Sequence, residues 1–400
     1  MSFSASARLA FFFGLGTFVL HIATAGQYGY QRDELYFLAC ARHLAWGYVD
    51  QPPMIAIVAK AALFFGRSLY AIRLFPALAA ALIVVSTGRL AARLGGGTIA
   101  QGFAMLAVVV APFYLAVGNL LTMNAFEPFL WTLAAYLIVE LFDRASGLEN
   151  PPKLSARRAF LWIFLGAVTA LGVLTKYTMG FFALSLCAAA LLSARTRRCL
   201  RCGGVALAIG VALLLTAPNL WWQYIHGWPQ IQLLADAATR KNVDLGAMGF
   251  VLSQILMVNP LAFPLWAGGL FFFFRSHAGS YRLFFWSYVL LCVVYIGLRA
   301  KVYYLAPIYP LLFGLVQQAF VEIRGSIMIS NAQDIAKARR LLDEDSQMDL
   351  LYIRFQGTVQ QAIDYIPMRS FLFLQALLVG AQIKGIGDDV RAICRALLHL

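Results

Sequence analysis

Two adjacent carboxylates, Asp33 and Glu34, lie in the segment Arg32-Asp-Glu-Leu-Tyr-Phe that follows the first apolar run. Carboxylates beside a membrane lose solvation energy unless they are paired or take part in a reaction. On a helix the two side chains point about 100° apart, so only one of them faces a given cleft. That carboxylate suits a general base that deprotonates an acceptor hydroxyl. The alternative is that both acids stabilise a helix N-terminus through its dipole.

Two further segments carry polar groups between apolar runs. In residues 47–53, Gly-Tyr-Val-Asp-Gln-Pro-Pro, the paired prolines favour a rigid extended turn that fixes Asp50 and Gln51. Ordinary turn formation is the alternative for these two residues. The other segment precedes an apolar run and contributes Thr122, Asn124 and Glu127. Helix capping is the alternative explanation for Glu127.

Two cationic segments complete the candidate site. Lys176-Tyr177 interrupts apolar sequence, and the lysine alone is also explained by snorkelling. The segment Arg299-Ala-Lys-Val-Tyr-Tyr contributes Arg299, Lys301, Tyr303 and Tyr304. Its basic residues fall on the side of the membrane that topology disfavours for positive charge, so we predict that they bind an anion. Because several loops supply polar groups at one membrane face, we interpret them together as a site.

The composition identifies the elements that must position these residues. Of the 400 residues 61% are hydrophobic and only 12% are charged, whereas soluble domains carry about a quarter charged residues. The apolar runs are long rather than alternating, which indicates membrane-spanning helices and not an outer-membrane barrel. The formal net charge is +14, but the basic residues lie in short gaps between apolar runs. Topology and anionic lipids therefore explain them better than nucleic acid does.

A membrane span needs about 20 apolar residues, and the sequence contains about ten candidates. They lie near residues 9–26, 69–88, 99–118, 126–142, 159–175, 178–194, 203–220, 248–274, 283–298 and 303–321. The basic residues concentrate in every second connection, as in Arg157-Arg158. This alternation predicts that those connections and the N-terminus face the cytoplasm, and that the candidate site lies outside. The first span ends in Ala23-Thr24-Ala25, which resembles a signal-peptidase site, but with only Arg8 before it we expect the span to be retained.

The segments outside these spans fall into two kinds. The first outer loop, residues 27–67, contains an apolar run at residues 53–65 that is too short to span, and an interfacial helix is predicted there. Beyond residue 324 the composition becomes mixed in charge. We therefore divide the chain into a transmembrane domain at residues 1–324 and a helical cytoplasmic tail of unknown role at residues 325–400.

The motifs together resemble those of the family 39 glycosyltransferases, which include protein O-mannosyltransferases and the lipid A aminoarabinose transferase. The resemblance covers about residues 10–320 and rests on six motifs: Tyr30-Gln-Arg-Asp-Glu-Leu-Tyr-Phe, Gly47-Tyr-Val-Asp-Gln-Pro-Pro, Thr122-Met-Asn-Ala-Phe-Glu, Thr175-Lys-Tyr, His226-Gly-Trp-Pro and Lys301-Val-Tyr-Tyr-Leu-Ala-Pro-Ile-Tyr-Pro. It implies an all-α polytopic protein of the GT-C fold, with a bundle of about ten transmembrane helices and interfacial helices in the first outer loop. It departs from the aminoarabinose branch at Asp50-Gln51, where that branch carries His-Lys.

The resemblance also implies a reaction. An inverting hexosyl- or pentosyltransferase would move a sugar from a polyprenyl-phosphate carrier to a hydroxyl of a lipid, glycan or protein acceptor in the cell envelope. It would work at the periplasmic face of a bacterial inner membrane. Asp33 would be the catalytic base and Glu127 the second acid of the site. Beyond the resemblance, the cations Lys301, Arg299, Lys176 or the Arg240-Lys241 pair are candidates to neutralise the phosphate leaving group. We therefore predict that the remaining candidates bind substrate: Glu34, Asp50, Gln51, Asn124, Lys176, Tyr177, Arg240, Lys241, Arg299, Lys301, Tyr303 and Tyr304.

The sequence allows two alternatives, one about a metal ion and one about the class of protein. A divalent cation is not required by the motifs, but Asp33, Asp50 and Glu127 offer oxygen ligands for one. A transporter or lipid flippase is the alternative class, and it predicts polar residues at mid-membrane depth and broken helices in matching halves. The polar residues here gather at one face instead, apart from the Asn259-Pro260 and Pro264 interruption in the eighth span.

Overall fold

The computed structural model describes residues 4–143, 154–192, 196–197, 203–236, 245–274 and 276–315. Throughout these ranges the regular structure is helical. The α-helices are α1 (Ala5–Thr24), α2 (Arg32–Cys40), α3 (Met54–Phe64), α4 (Leu69–Arg93), α5 (Thr98–Val109), α6 (Pro112–Val117), α7 (Met123–Asp143), α8 (Ala156–Thr175), α9 (Thr178–Leu191), α10 (Gly203–Ile225), α11 (Pro229–Asp236), α12 (Gly246–Met257), α13 (Phe263–Phe274), α14 (Arg282–Gly297) and α15 (Tyr309–Phe313). Short 3₁₀ segments cover Pro260–Ala262, Ser276–Tyr281 and Val302–Ile308.

The predicted polytopic membrane architecture is confirmed. Among the described residues six segments are long and apolar enough to cross a membrane: α1, α4, α7, α8, α10 and the stretch Gly279–Gly297 that contains α14. A seventh candidate span combines α12 with Pro260–Phe274. The same described ranges also contain four shorter apolar helical stretches, at Met54–Phe64, Thr98–Val109, Thr178–Leu191 and Val302–Phe313.

The ten or so expected spans are therefore partly replaced by shorter or broken helices. Residues 99–118 form two helices because Pro112 lacks the N–H that would continue α5. The eighth span bends by 97° between α12 and the segment that begins at Pro260. At the bend Asn259 adopts a positive φ of 79°, and its side chain accepts a hydrogen bond from the N–H of Leu261. This break lies where the sequence placed an interruption.

The spanning helices pack as neighbouring pairs, with α1 against α4, α4 against α7, α8 against α10 and α9 against α14. The α8–α10 pair approaches closely at Gly166, where a Cβ atom would lie 2.4 Å from the carbonyl oxygen of Ala208. Between α7 and α9, Trp131 stacks on Phe182 with ring centroids 4.2 Å apart. Such contacts give the bundle a packed interior that fixes the ends of its helices.

The first long loop contains α2 and α3, and α3 confirms the helix predicted over residues 53–65. A small apolar core attaches this loop to the bundle, with Phe37 of α2 and Ala41 directly after α2 packed near Ile55 and Ala59 of α3. Ile72 of α4 belongs to the same cluster. The loop is therefore built into the bundle at the end where α4 begins. The predicted tail, residues 325–400, lies outside the described residues.

Candidate active site

Asp33 is presented by the first turn of α2. The side chain of Gln31 caps this helix and accepts a hydrogen bond from the Asp33 N–H at 2.7 Å. The Asp33 carboxylate is half-exposed and has an exposed ion pair with Arg32 at 3.2 Å. Because exposed pairs of this kind contribute little to stability, the carboxylate is accessible to a substrate. The backbone of Asp33 is fixed by the cap, while about half of its side chain is exposed.

Glu34 points away from this accessible surface and is fully buried. Both of its oxygens are bound by the guanidinium of Arg73 from α4, at 3.0 Å from Nε and 2.9 Å from Nη2. The backbone N–H groups of Gln31 and Leu121 donate to the same carboxylate at 2.9 and 3.0 Å. Four donors therefore saturate this side chain, as expected for a buried charge. The side chains of Asp33 and Glu34 thus point in different directions, as the helix geometry predicted.

This arrangement argues against the predicted contact between Glu34 and substrate, because the carboxylate has neither exposed surface nor a spare hydrogen-bonding position. Burial raises the pKa of Glu34, but the Arg73 guanidinium and the N–H groups of Gln31 and Leu121 outweigh burial and hold the pKa below its ordinary value. Glu34 therefore remains ionised at neutral pH. Its role in the structure is to attach α2 to α4.

Sequence analysis missed Arg73, which completes this clamp. Its Nη atoms also donate to the backbone carbonyls of Ala25, Tyr28 and Gly29, at 3.1 Å for Tyr28 and 2.8 Å for Gly29. The guanidinium carbon lies 4.6 Å from the centroid of the Tyr28 ring. One buried arginine thus fixes the chain between α1 and α2, immediately before Asp33. Its position five residues into an apolar span was the available signal, since a charge there is costly unless it is used.

Glu127 and Lys176 form a second buried ion pair, between α7 and the turn that joins α8 to α9. The Nζ of Lys176 lies 2.9 Å from Oε2 of Glu127 and 2.9 Å from Oδ1 of Asn124. The hydroxyl of Thr178 donates to the other oxygen of Glu127. Glu127 and Lys176 are both buried. The structure thus brings together three of the predicted residues, Asn124, Glu127 and Lys176.

Tyr303 and Tyr304 lie against the lysine of this pair. The Lys176 ammonium lies 4.4 Å from the ring centroid of Tyr304 and 5.2 Å from that of Tyr303. Lys301 approaches the Tyr303 ring at 5.8 Å. The charges of Asp33 and Glu127 both act on the Tyr303 hydroxyl. Tyr303 therefore lies beside both lysines of the site and within electrostatic reach of both acids.

Tyr177 belongs to a separate hydrogen-bond network that joins three segments. Its hydroxyl donates to Oδ1 of Asn219 at 3.1 Å and accepts from Nε2 of Gln223 at 3.0 Å. Asn219 also donates to the carbonyl of Trp46 in the first long loop, at 2.7 Å. Asn219 and Gln223 are buried on α10, and sequence analysis did not single them out. Amides inside an apolar helix were the available signal, since buried amides need partners.

Asp50 and Gln51 have different environments. Asp50 is exposed, and its carboxylate accepts a hydrogen bond from the Tyr36 hydroxyl at 2.7 Å. Gln51 is fully buried, and its Nε2 lies 3.6 Å from the sulfur of Cys40. The turn before the paired prolines therefore offers Asp50 to a ligand. Gln51 packs inside the loop, which does not favour its predicted contact with substrate.

The chain is similar to a known protein family and to solved structures. Residues 50–222 match the family model described as dolichyl-phosphate-mannose-protein mannosyltransferase. The lipid A galacturonosyltransferase RgtD of Rhizobium johnstonii is 27% identical over 248 residues, which cover 59% of this chain and 48% of that protein. ArnT from Cupriavidus metallidurans, in a crystal structure with undecaprenyl phosphate, matches with a TM-score of 0.62 at 18% identity, over 83% of this chain and 64% of that chain.

The chain has the GT-C fold. The archaeal oligosaccharyltransferase AglB from Archaeoglobus fulgidus also matches, with a TM-score of 0.55 at 13% identity over 89% of this chain and 54% of that chain. The resemblance to the family 39 glycosyltransferases is confirmed by the family model and by RgtD. The chain spans about half the length of RgtD.

The remaining predicted cations of the candidate site are Arg299, Arg240 and Lys241. Arg299 is exposed and adopts a positive φ of 49° just before Lys301. Arg240 and Lys241 lie outside the described residues. Within the described ranges no group of three or more His, Cys, Asp or Glu side chains is arranged to hold a metal ion. The oxygen ligands that the sequence offered to a cation are thus not gathered as such a group.

Proposed function

We propose that this chain transfers a sugar from a polyprenyl-phosphate carrier to a hydroxyl group of a cell-envelope acceptor. The observation that carries the proposal is that Lys176, paired with Glu127, and Lys301 both lie beside the Tyr303 ring, while the charge of Asp33 reaches the same tyrosine. This arrangement combines an accessible carboxylate, suited to act as a base, with cations suited to bind a phosphate. The names of two relatives support the same class: RgtD transfers galacturonosyl groups to lipid A, and ArnT is bound to undecaprenyl phosphate.

Asp33 is the proposed general base. Its carboxylate takes the proton of the acceptor hydroxyl while the hydroxyl oxygen attacks the anomeric carbon of the sugar. The bond between that carbon and the phosphate oxygen breaks, and polyprenyl phosphate leaves from the opposite face. The anomeric configuration is therefore inverted. The transferred group is a hexosyl or pentosyl unit, and the acceptor is a lipid, a glycan or a protein.

The leaving phosphate needs a cation, and Lys301 is the best placed. Lys176 is already neutralised by Glu127 and buried beneath two tyrosine rings. Lys301 is exposed and lies beside Tyr303. We therefore assign phosphate binding to Lys301 and a positioning role to the Glu127–Lys176 pair, which holds the α8–α9 turn against α7. A lipid carrier also explains the membrane setting, since its prenyl chain stays in the bilayer.

Replacing Lys301 by Gln is expected to weaken donor binding by about ten- to over a hundredfold, because a hydrogen bond to a charged group contributes about 1.5–3 kcal/mol. Lys301→Arg should retain part of the affinity, since it keeps the charge and changes the donor geometry. The measurement is the affinity of each purified variant for a polyprenyl-phosphate sugar at matched yield. If Lys301 only snorkels to the interface, Lys301→Gln will bind the donor as tightly as the parent chain.

The site is proposed to lie at the periplasmic face of a bacterial inner membrane, following the alternation of basic connections. In a background without native cysteines, Asp50→Cys should be labelled in intact cells by a thiol reagent that does not cross the membrane. Arg157→Cys at the start of α8 should react only after the cells are opened. Labelling of position 157 in intact cells would contradict this topology and the periplasmic site.

Mass spectrometry of membrane lipids and surface glycans from a deletion strain tests the transfer itself. The strain should accumulate a polyprenyl-phosphate sugar and contain an acceptor that lacks this sugar. Restoring the chain should reverse both changes. A deletion strain with a complete set of glycosylated acceptors and no accumulated donor would contradict the proposal. A sugar-lipid retained on the cytoplasmic leaflet would instead favour the transporter or flippase alternative.

A further inference from the structure

Helix α3 exposes an apolar face that carries one positive charge. Ile55, Ala59 and Ala62 are completely buried against the bundle. On the opposite face Ile57 is 43% exposed and Phe64 is 88% exposed. Lys60, the only charged residue of the helix, lies between them and is exposed. At 3.6 residues per turn Ile57, Lys60 and Phe64 share one stripe.

The segment that follows α3 extends this stripe. Phe65 is 60% exposed, and Gly66 adopts a φ of 123° that turns the chain. Arg67 is exposed beyond the turn, and its carbonyl accepts a hydrogen bond from the Tyr30 hydroxyl. We call Ile57, Lys60, Phe64, Phe65 and Arg67 the α3 surface. It ends with a second positive charge on an anchored turn.

The α3 surface lies beside a membrane-spanning helix. Leu69 begins α4 two residues after Arg67, and the Phe65 ring packs on Phe75 of α4 with centroids 6.0 Å apart. With eleven residues α3 is too short to cross a bilayer. Its exposed phenylalanines are therefore held where the lipid of the adjacent leaflet surrounds α4.

The charges of this surface have no partner within the part of the chain that the structure describes. The ion pairs found there join other side chains, and neither Lys60 nor the Arg67 guanidinium makes a hydrogen bond. A single lysine among apolar residues is satisfied by reaching water. Two cations that border the same apolar stripe additionally suit a ligand with an anionic head and an apolar tail.

We propose that the α3 surface binds an anionic lipid of the adjacent leaflet. Ile57, Phe64 and Phe65 would contact the acyl chains, while Lys60 and Arg67 would bind the head-group phosphate. The inference does not depend on the transfer reaction, because none of these residues belongs to the candidate site. It assigns a lipid partner to Lys60 and Arg67, two basic side chains of this loop that the candidate site does not use.

Native mass spectrometry of the purified full chain, titrated with phosphatidylglycerol or phosphatidylcholine, tests this binding. The parent chain should retain phosphatidylglycerol more tightly than phosphatidylcholine. A basic residue near an anionic surface contributes about fivefold in affinity. Lys60→Gln should therefore weaken phosphatidylglycerol binding about fivefold, and the double variant with Arg67→Gln roughly 25-fold. Binding of phosphatidylcholine should change little.

Two variants make the result specific. Arg42→Gln removes an exposed arginine from the same loop outside the α3 surface and should leave phosphatidylglycerol binding unchanged. Lys60→Arg keeps the charge and should retain it as well. Equal retention of the two lipids by the parent chain would overturn the proposal. So would a folded double variant that holds phosphatidylglycerol as tightly as the parent chain.

Discussion

The Asp33→Asn variant is expected to fold and insert normally but to lose transfer activity by about 10²–10⁴-fold. Asparagine keeps the size of the side chain and removes the basicity that proton abstraction requires. Because Asp33 is half-exposed and its ion pair with Arg32 is exposed, the free energy of unfolding should change by less than about 0.5 kcal/mol. The decisive measurement is single-turnover transfer by purified enzyme with donor and acceptor at saturating concentration.

Two comparisons separate lost basicity from disturbed structure. The unfolding midpoint of Asp33→Asn should match that of the parent chain, and donor binding should persist, since the phosphate contact is assigned to Lys301. Arg42→Gln provides an exposed-charge control on the same loop and should transfer sugar at the parent rate. Near-normal turnover by Asp33→Asn would refute the assignment of the base without excluding a transferase.

Long apolar runs were sufficient to predict the helical membrane architecture, because spanning a bilayer demands them. Their interruptions were harder to place. Pro112 divides one predicted span into two helices, and the Asn259–Pro260 break bends another by 97°. The length of an apolar run does not reveal whether neighbouring helices supply hydrogen-bond partners to the backbone groups at a break. Asn259 illustrates this, because its Nδ2 donates to the carbonyl of Val110, 149 residues earlier in the chain.

The site shows the same division between local and distant information. Helix periodicity predicted that Asp33 and Glu34 diverge, and the structure places them so. The partner of Glu34 was not predictable, since Arg73 lies 39 residues away and occupies a different helix. The pairing of Lys176 with Glu127 likewise joins residues 49 positions apart. The local sequence shows which residues carry charge and which way neighbouring side chains point. Packing between distant helices determines which of those charges form pairs.

Replacing Arg73 by Ala is expected to destabilise the chain by about 3–5 kcal/mol, because it leaves the Glu34 carboxylate buried without its cation. The side chains of Arg73 and Glu34 are 1% and 0% exposed, so water cannot take the place of the guanidinium. The three backbone carbonyls that Arg73 binds also lose their donor. The stability of Arg73→Lys should lie between those of the parent chain and Arg73→Ala, since lysine restores the charge but not the bidentate hydrogen-bond geometry. The measurement is the unfolding midpoint in detergent at pH 7.

A cycle with Glu34→Gln shows whether the pair itself causes the loss. If it does, the double variant will be less destabilised than the sum of the single variants. The pH dependence gives an independent check. Because the folded state lowers the pKa of Glu34, the stabilisation is present at neutral pH and is lost as the pH falls below the ordinary range of a glutamate. The advantage of the parent chain over Glu34→Gln should therefore shrink on acidification, and an advantage that does not change with pH would contradict the ionised clamp.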